Sequence, residues 1–186
     1  MELSPEGIFH IYNRGNNKQQ IFFSEANYAF FASKLRKHIS DKVDILAFCL
    51  MPNHFHLLIH TTAEFDQSGF TKAYRILLSS YTRAINAQQG RSGSLFQQHS
   101  KAKEMESHLS ATVCFNYIHF NPVKTGLVKS MKDWKHSSFN DYLGESKYPL
   151  VRIDTALHLL NLPSDPKEFE QASMEMLPDN YRNMIF

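Results

Sequence analysis

Two histidines one residue apart, His54 and His56, stand in the stretch Met51-Pro52-Asn53-His54-Phe55-His56-Leu57-Leu58-Ile59-His60. In a β-strand successive side chains alternate faces, so both imidazoles point one way and Phe55, Leu57 and Ile59 point the other. Two neutral imidazoles on one face can grip a divalent cation. The same pattern also suits polar residues on the solvated side of a hairpin, and spacing alone leaves both readings open.

A second group lies later in the chain, in Asn116-Tyr117-Ile118-His119-Phe120-Asn121-Pro122-Val123. Tyr117 and Asn121 are four residues apart, one turn along the same helix face. Alone they read as a core tyrosine near Leu109 and Val113 and a helix-capping asparagine. With two histidines they read differently: Asn121 offers an oxygen as third ligand and Tyr117 a phenol beside the ion. A phenol of pKa near 10 is a poor nucleophile until its proton leaves or its charge is stabilised. A divalent ion on a phosphodiester oxygen draws charge from phosphorus. Two imidazoles, one amide oxygen and open positions suit Mg²⁺ or Mn²⁺ that must also bind phosphate, whereas a structural zinc site is closed by four protein ligands. The product of such chemistry is a phosphotyrosine ester that conserves the energy of the broken bond.

The elements that must position these residues are legible in outline. Residues 7–13 alternate as a strand, and Asn13-Arg14-Gly15-Asn16-Asn17 breaks it. Ser24 caps a helix running to about Ile39, with Tyr28, Phe31, Leu35 and Ile39 on one stripe. Ile45 to Leu50 is a continuous apolar run of the kind expected for a central strand. Pro52-Asn53 then turns the chain into the histidine strand, a hairpin. Phe70 to Ala87 is an amphipathic helix, residues 95–103 a weakly alternating strand, and Glu106 to Asn121 a helix stopped by Pro122. A short helix capped by Ser137 follows Trp134. The order β-α-β-β-α-β-α implies an α+β, ferredoxin-like (split β-α-β) antiparallel sheet. The histidine strand lies in its middle, helices pack on one face, and a C-terminal helical extension follows. A domain over 1–144 and an acidic extension over 145–186 are expected.

Bulk properties fit one domain. The chain has 186 residues, 42% of them hydrophobic, with 15 phenylalanines. It has no run long enough to span a bilayer and no start resembling a secretory leader. Cys49 and Cys114 sit in apolar stretches without metal or redox spacing and read as buried free thiols in a reducing compartment, hence a cytoplasmic address. Residues 1–139 hold 16 Lys and Arg against 10 Asp and Glu, and residues 140–186 hold 4 against 8. A basic body with an acidic tail suits a polyanion partner. Arg14, Lys18, Lys101, Lys103 and Lys124 are candidate phosphate contacts. Tyr12, Tyr81 and Phe96 are candidate base-stacking or core aromatics.

His54-Phe55-His56 resembles the His-hydrophobic-His signature of single-tyrosine nucleases. Asn13–Asn17, Phe48–Leu58 and Tyr117–Val128 resemble, in order, segments of the IS200-like transposase family. They are most similar to its branch associated with repetitive extragenic palindromes. Trp134, Ser137-Ser138-Phe139 and Tyr142-Leu143-Gly144 resemble the family's ending, so the likeness covers about residues 8–144. It implies His54 and His56 as metal ligands, Asn121 as third ligand, Tyr117 as nucleophile, and single-stranded or hairpin DNA as substrate. A homodimer with sites completed in trans is also within the family's range. Asparagine at 121 favours the palindrome-associated branch, because the insertion-sequence branch usually has glutamine there. Gln97-Gln98-His99 departs from relatives that carry a glycine and an arginine, so a basic DNA contact is missing or moved. Two other function classes stay open: a non-catalytic single-strand-binding module on the same fold, and a replication-initiator-type nickase.

Overall fold

A computed structural model describes residues 1–147 and 149–176. The last part of the expected acidic extension, 177–186, therefore lies outside the described residues. Four strands, β1 (Ile8–Arg14), β2 (Asp44–Met51), β3 (His54–His60) and β4 (Lys101–Glu104), form one antiparallel sheet in the order β2-β3-β1-β4. Helices α1 (Glu25–His38) and α2 (Gln67–Gln89) make the two crossovers, and α3 (His108–Lys124) follows β4. This is the expected ferredoxin-like order, with the histidine strand inside the sheet.

The helices are not all on one face, as the sequence suggested. Phe31 of α1 and Tyr81 of α2 pack with Phe55 and Phe96 on one side of the sheet. α3 lies against β2 and β3, and its Tyr117 meets His56 on the opposite side. The physical reason is in β2 and β3 themselves. Ala47, Cys49 and Leu58, which share the histidine face by ladder register, are fully buried. An apolar surface on both faces of a sheet needs cover on both.

β2 is also not central; it is an edge strand whose edge is closed. Leu50 N–H donates to the His136 carbonyl at 2.9 Å, Ser138 N–H to Phe48 at 3.0 Å, and Arg152 N–H to Ile45 at 2.8 Å. The continuous apolar run therefore reflects cover from every side, an arrangement that removes an aggregation-prone edge. The expected strand over 95–103 is shorter: Leu95 and Phe96 plug the core, Phe96 makes an isolated bridge to Gly15, and the continuous ladder runs over 101–104. Beyond α3 come α4 (Phe139–Tyr142), α5 (Ile153–Leu160) and α6 (Pro166–Glu175). Phe169 of α6 stacks on Tyr142 and meets Phe115 of α3 edge-on. α3 is thus held between the sheet and the C-terminal helices, which explains why it is apolar nearly all round.

Pro122 does not stop α3, which continues to Lys124. The stop comes from Gly126, whose φ of 73° is left-handed. Gly126 N–H donates to Val123 and Leu127 N–H to Pro122, both at 2.9 Å, the paired bonds of a glycine C-terminal motif. Gly126→Ala is expected to cost about 1 kcal/mol, because a Cβ there meets no neighbour and only the backbone penalty remains. Urea unfolding would read this as a lower midpoint with an unchanged slope.

Candidate active site

β1 and β3 build the floor of the site. Ladder register places Arg14 opposite His54, Tyr12 opposite His56, and His10 opposite Leu58. On the other flank Lys101 pairs with Tyr12 and Lys103 with His10. Directly opposed residues share a face, so one sheet face carries both candidate ligands, two further aromatic rings and three cations. His54 and His56 meet edge to face, with ring centroids 5.0 Å apart.

α3 supplies the roof. The Tyr117 ring stands edge-on to His56 at 6.0 Å between centroids. Lys124 Nζ lies 4.8 Å from the centre of the Tyr117 ring. The Asn121 amide Nδ2 donates to the Tyr117 carbonyl at 2.8 Å. That bond engages the nitrogen end of the amide, so any cation ligand from Asn121 would be its oxygen. Residues 117, 121 and 124 form one helical stripe, each about a turn from the next. Tyr117 meets a histidine of its own chain.

The histidine ring nitrogens are already divided between tasks. His54 Nδ1 is 2.6 Å from Asn53 Oδ1, and His56 Nδ1 is 2.9 Å from His10 Nε2. Each bond leaves an Nε2 for another partner. Burial, with Arg14 adding to it, lowers the His54 pKa to about 4. His56 is pushed well below its ordinary value by burial first, then by His10, His54 and Lys124. Both imidazoles are therefore neutral at pH 7, the form that ligates a metal. Among the described residues no group of three His, Cys, Asp or Glu is placed to hold a metal. Two imidazoles plus an amide oxygen fit an open, oxygen-completed cation site better than a closed zinc site.

The candidate DNA contacts divide. Arg14, Lys101, Lys103 and Lys124 flank the histidine face. Lys101 Nζ also lies 5.9 Å from the Tyr12 ring centre. Lys18 is exposed in the turn after β1, where its carbonyl accepts from Nδ2 of Asn53, the residue whose Oδ1 meets His54, at 3.2 Å. His119 is fully buried against Ser138 Oγ at 2.7 Å and takes no part in the site. Tyr81 and Phe96 are core residues. Cys49 and Cys114 are buried free thiols. Sequence reading missed His10, whose period-two relation to Tyr12 and Arg14 was the available signal.

The family model "Transposase IS200 like" matches residues 5–121, a span that includes both histidines, Tyr117 and Asn121. The chain belongs to the IS200-like transposase family. Among its relatives, a Haemophilus influenzae protein provisionally named a REP-associated tyrosine transposase is 30% identical over 121 residues. That match covers 57% of this chain and 64% of the relative, just under two thirds. The Escherichia coli REP-associated tyrosine transposase is 28% identical over 148 residues, covering 76% of this chain and 81% of that protein. A solved REP-associated tyrosine transposase bound to a REP hairpin shares the fold, with a TM-score of 0.65 at 21% identity, over 81% of this chain and 87% of its own. Among the described residues no helix is long and apolar enough to cross a membrane.

Proposed function

We propose that the protein is a divalent-metal-dependent single-stranded DNA endonuclease and strand transferase, acting in the cytoplasm at or beside hairpin DNA. The observation that carries this reading is the meeting of Tyr117 with His56 at 6.0 Å, with Lys124 over the same ring. His54, His56 and Asn121 would hold Mg²⁺ or Mn²⁺. Bound there, the ion supplies Lewis acidity to a phosphodiester oxygen.

The chain's own groups do the rest. The Tyr117 phenol oxygen bonds to phosphorus, its proton leaves, and the bond from phosphorus to the 3′ oxygen breaks. The DNA 5′ end is then esterified to Tyr117, and the departing strand takes up a proton as a free 3′-OH. Attack by a 3′-OH on the tyrosine ester reverses the step and joins strands without ATP. Lys124 puts a cation beside the ring whose oxygen must shed its proton. Arg14, Lys101 and Lys103 border the same face and would carry the phosphate backbone, with the half-buried Tyr12 ring among them for a base to lie on.

The test is a labelled hairpin oligonucleotide with a single-stranded flank, incubated with Mg²⁺ or Mn²⁺ and separated under denaturing conditions. A covalent protein–DNA band that chelator abolishes is the expected result. Salt-sensitive binding without any adduct under either metal would instead identify a non-catalytic binding module. Lys101→Ala is expected to weaken binding to all sequences alike and to lower the slope of log affinity against log salt by about 0.7 for a single strand. Filter binding across a salt series reads that slope.

A further inference from the structure

The bond between His10 and His56 has a consequence for how the site is loaded. His10 Nε2 and His56 Nδ1 are 2.9 Å apart, and both residues are buried. A single proton sits between two neutral imidazoles, so two arrangements exist. In one, His56 donates from Nδ1 to His10, and His56 Nε2 is a bare lone pair. In the other, His10 donates from Nε2, and His56 must carry its own proton on Nε2. A protonated Nε2 cannot ligate a cation. The choice of donor across this one bond therefore decides whether His56 is a ligand.

We propose that His10 is the positioning residue of the site: it accepts the His56 Nδ1–H and thereby fixes the tautomer that presents His56 Nε2 as a lone pair. Charge favours this arrangement. Lys124 lies over the Tyr117 ring, which itself stands against His56, so the outer side of His56 faces cationic charge. A neutral imidazole is lower in energy with a lone pair toward a cation than with an N–H toward it. His10 must then hold its remaining proton on Nδ1, and that buried atom has no hydrogen-bond partner. That atom is unpaired in either arrangement, so its cost does not choose between them, and the choice falls to the charge around His56. Metal-bound histidines commonly donate their second N–H to a carboxylate or carbonyl. Here another histidine is the acceptor, held flat by Tyr12 at 4.9 Å between ring centroids.

This assignment rests on the metal reading of His54 and His56, and two measurements separate the two. The first uses the wild-type protein without metal: long-range ¹⁵N–¹H correlation spectra of the histidine rings. His56 protonated on Nδ1 and bare on Nε2 is expected, and His56 protonated on Nε2 overturns the proposal. The second is Mn²⁺ titration of the wild type, His10→Gln and His10→Leu. Glutamine keeps a carbonyl acceptor for the His56 N–H and leucine does not. Mn²⁺ affinity is expected to fall about 10- to 100-fold in His10→Leu and to recover most of that in His10→Gln. Equal affinity in all three overturns the positioning role. If the wild type binds no Mn²⁺ while His56 shows the expected tautomer, the metal reading fails and the pairing stands.

Discussion

Replacing Tyr117 with phenylalanine is expected to abolish the covalent adduct, lowering cleavage by on the order of a thousandfold or more. The change removes one oxygen and keeps the ring, which packs partly buried against the core. Stability should fall by no more than about 1 kcal/mol, so loss of activity would not be loss of fold. A control is needed because distance alone does not single out Tyr117. Tyr12 stands as near to His56, at 5.8 Å between ring centroids against 6.0 Å. Orientation separates them. Tyr12 lies nearly flat on His10, at 28° between ring planes, whereas Tyr117 approaches His56 edge-on at 85° under Lys124. Tyr12→Phe should therefore keep the adduct while weakening DNA binding modestly. An adduct that survives Tyr117→Phe and vanishes in Tyr12→Phe would move the nucleophile from the helix to the strand.

Those two tyrosines also mark where sequence reading works and where it stops. Local periodicity puts His54 and His56 on one strand face and Tyr117 and Asn121 on one helix face, because each pair is fixed by the geometry of a single element. It also yields the order of strands and helices. What it cannot fix is which element covers which face, since that depends on surfaces contributed by distant segments. Ala47, Cys49 and Leu58 make the histidine face apolar toward β2, and only with the sheet assembled is it plain that α3 must cover it. His10 was missed for the same reason: its partner across the sheet is set by register, and no single strand reveals its register. Pro122 misled differently. The proline rule assumes a missing N–H ends the helix, but Gly126 closes the last turn four residues later and Pro122 supplies one of the closing carbonyls.

His54→Ala is the sharper test of the metal centre. His54 is half-buried at the rim, and its Nδ1 bonds to the neighbouring Asn53 Oδ1. Its loss should cost about 1 kcal/mol or less while removing one of two nitrogen ligands. Cleavage is expected to fall roughly a hundredfold or more, with part of it restored by raised Mn²⁺, and DNA affinity should change little because Arg14, Lys101, Lys103 and Lys124 remain. His56→Ala should lose cleavage equally but also stability, by about 2–4 kcal/mol. It opens a cavity beneath α3 and strands the buried His10 ring without its partner. The two substitutions therefore share a chemical defect and differ in a thermodynamic one. Measuring adduct yield and unfolding midpoint on both separates ligand loss from collapse of the site. Wild-type cleavage by a folded His54→Ala protein would sink the two-histidine centre, whatever His56→Ala does.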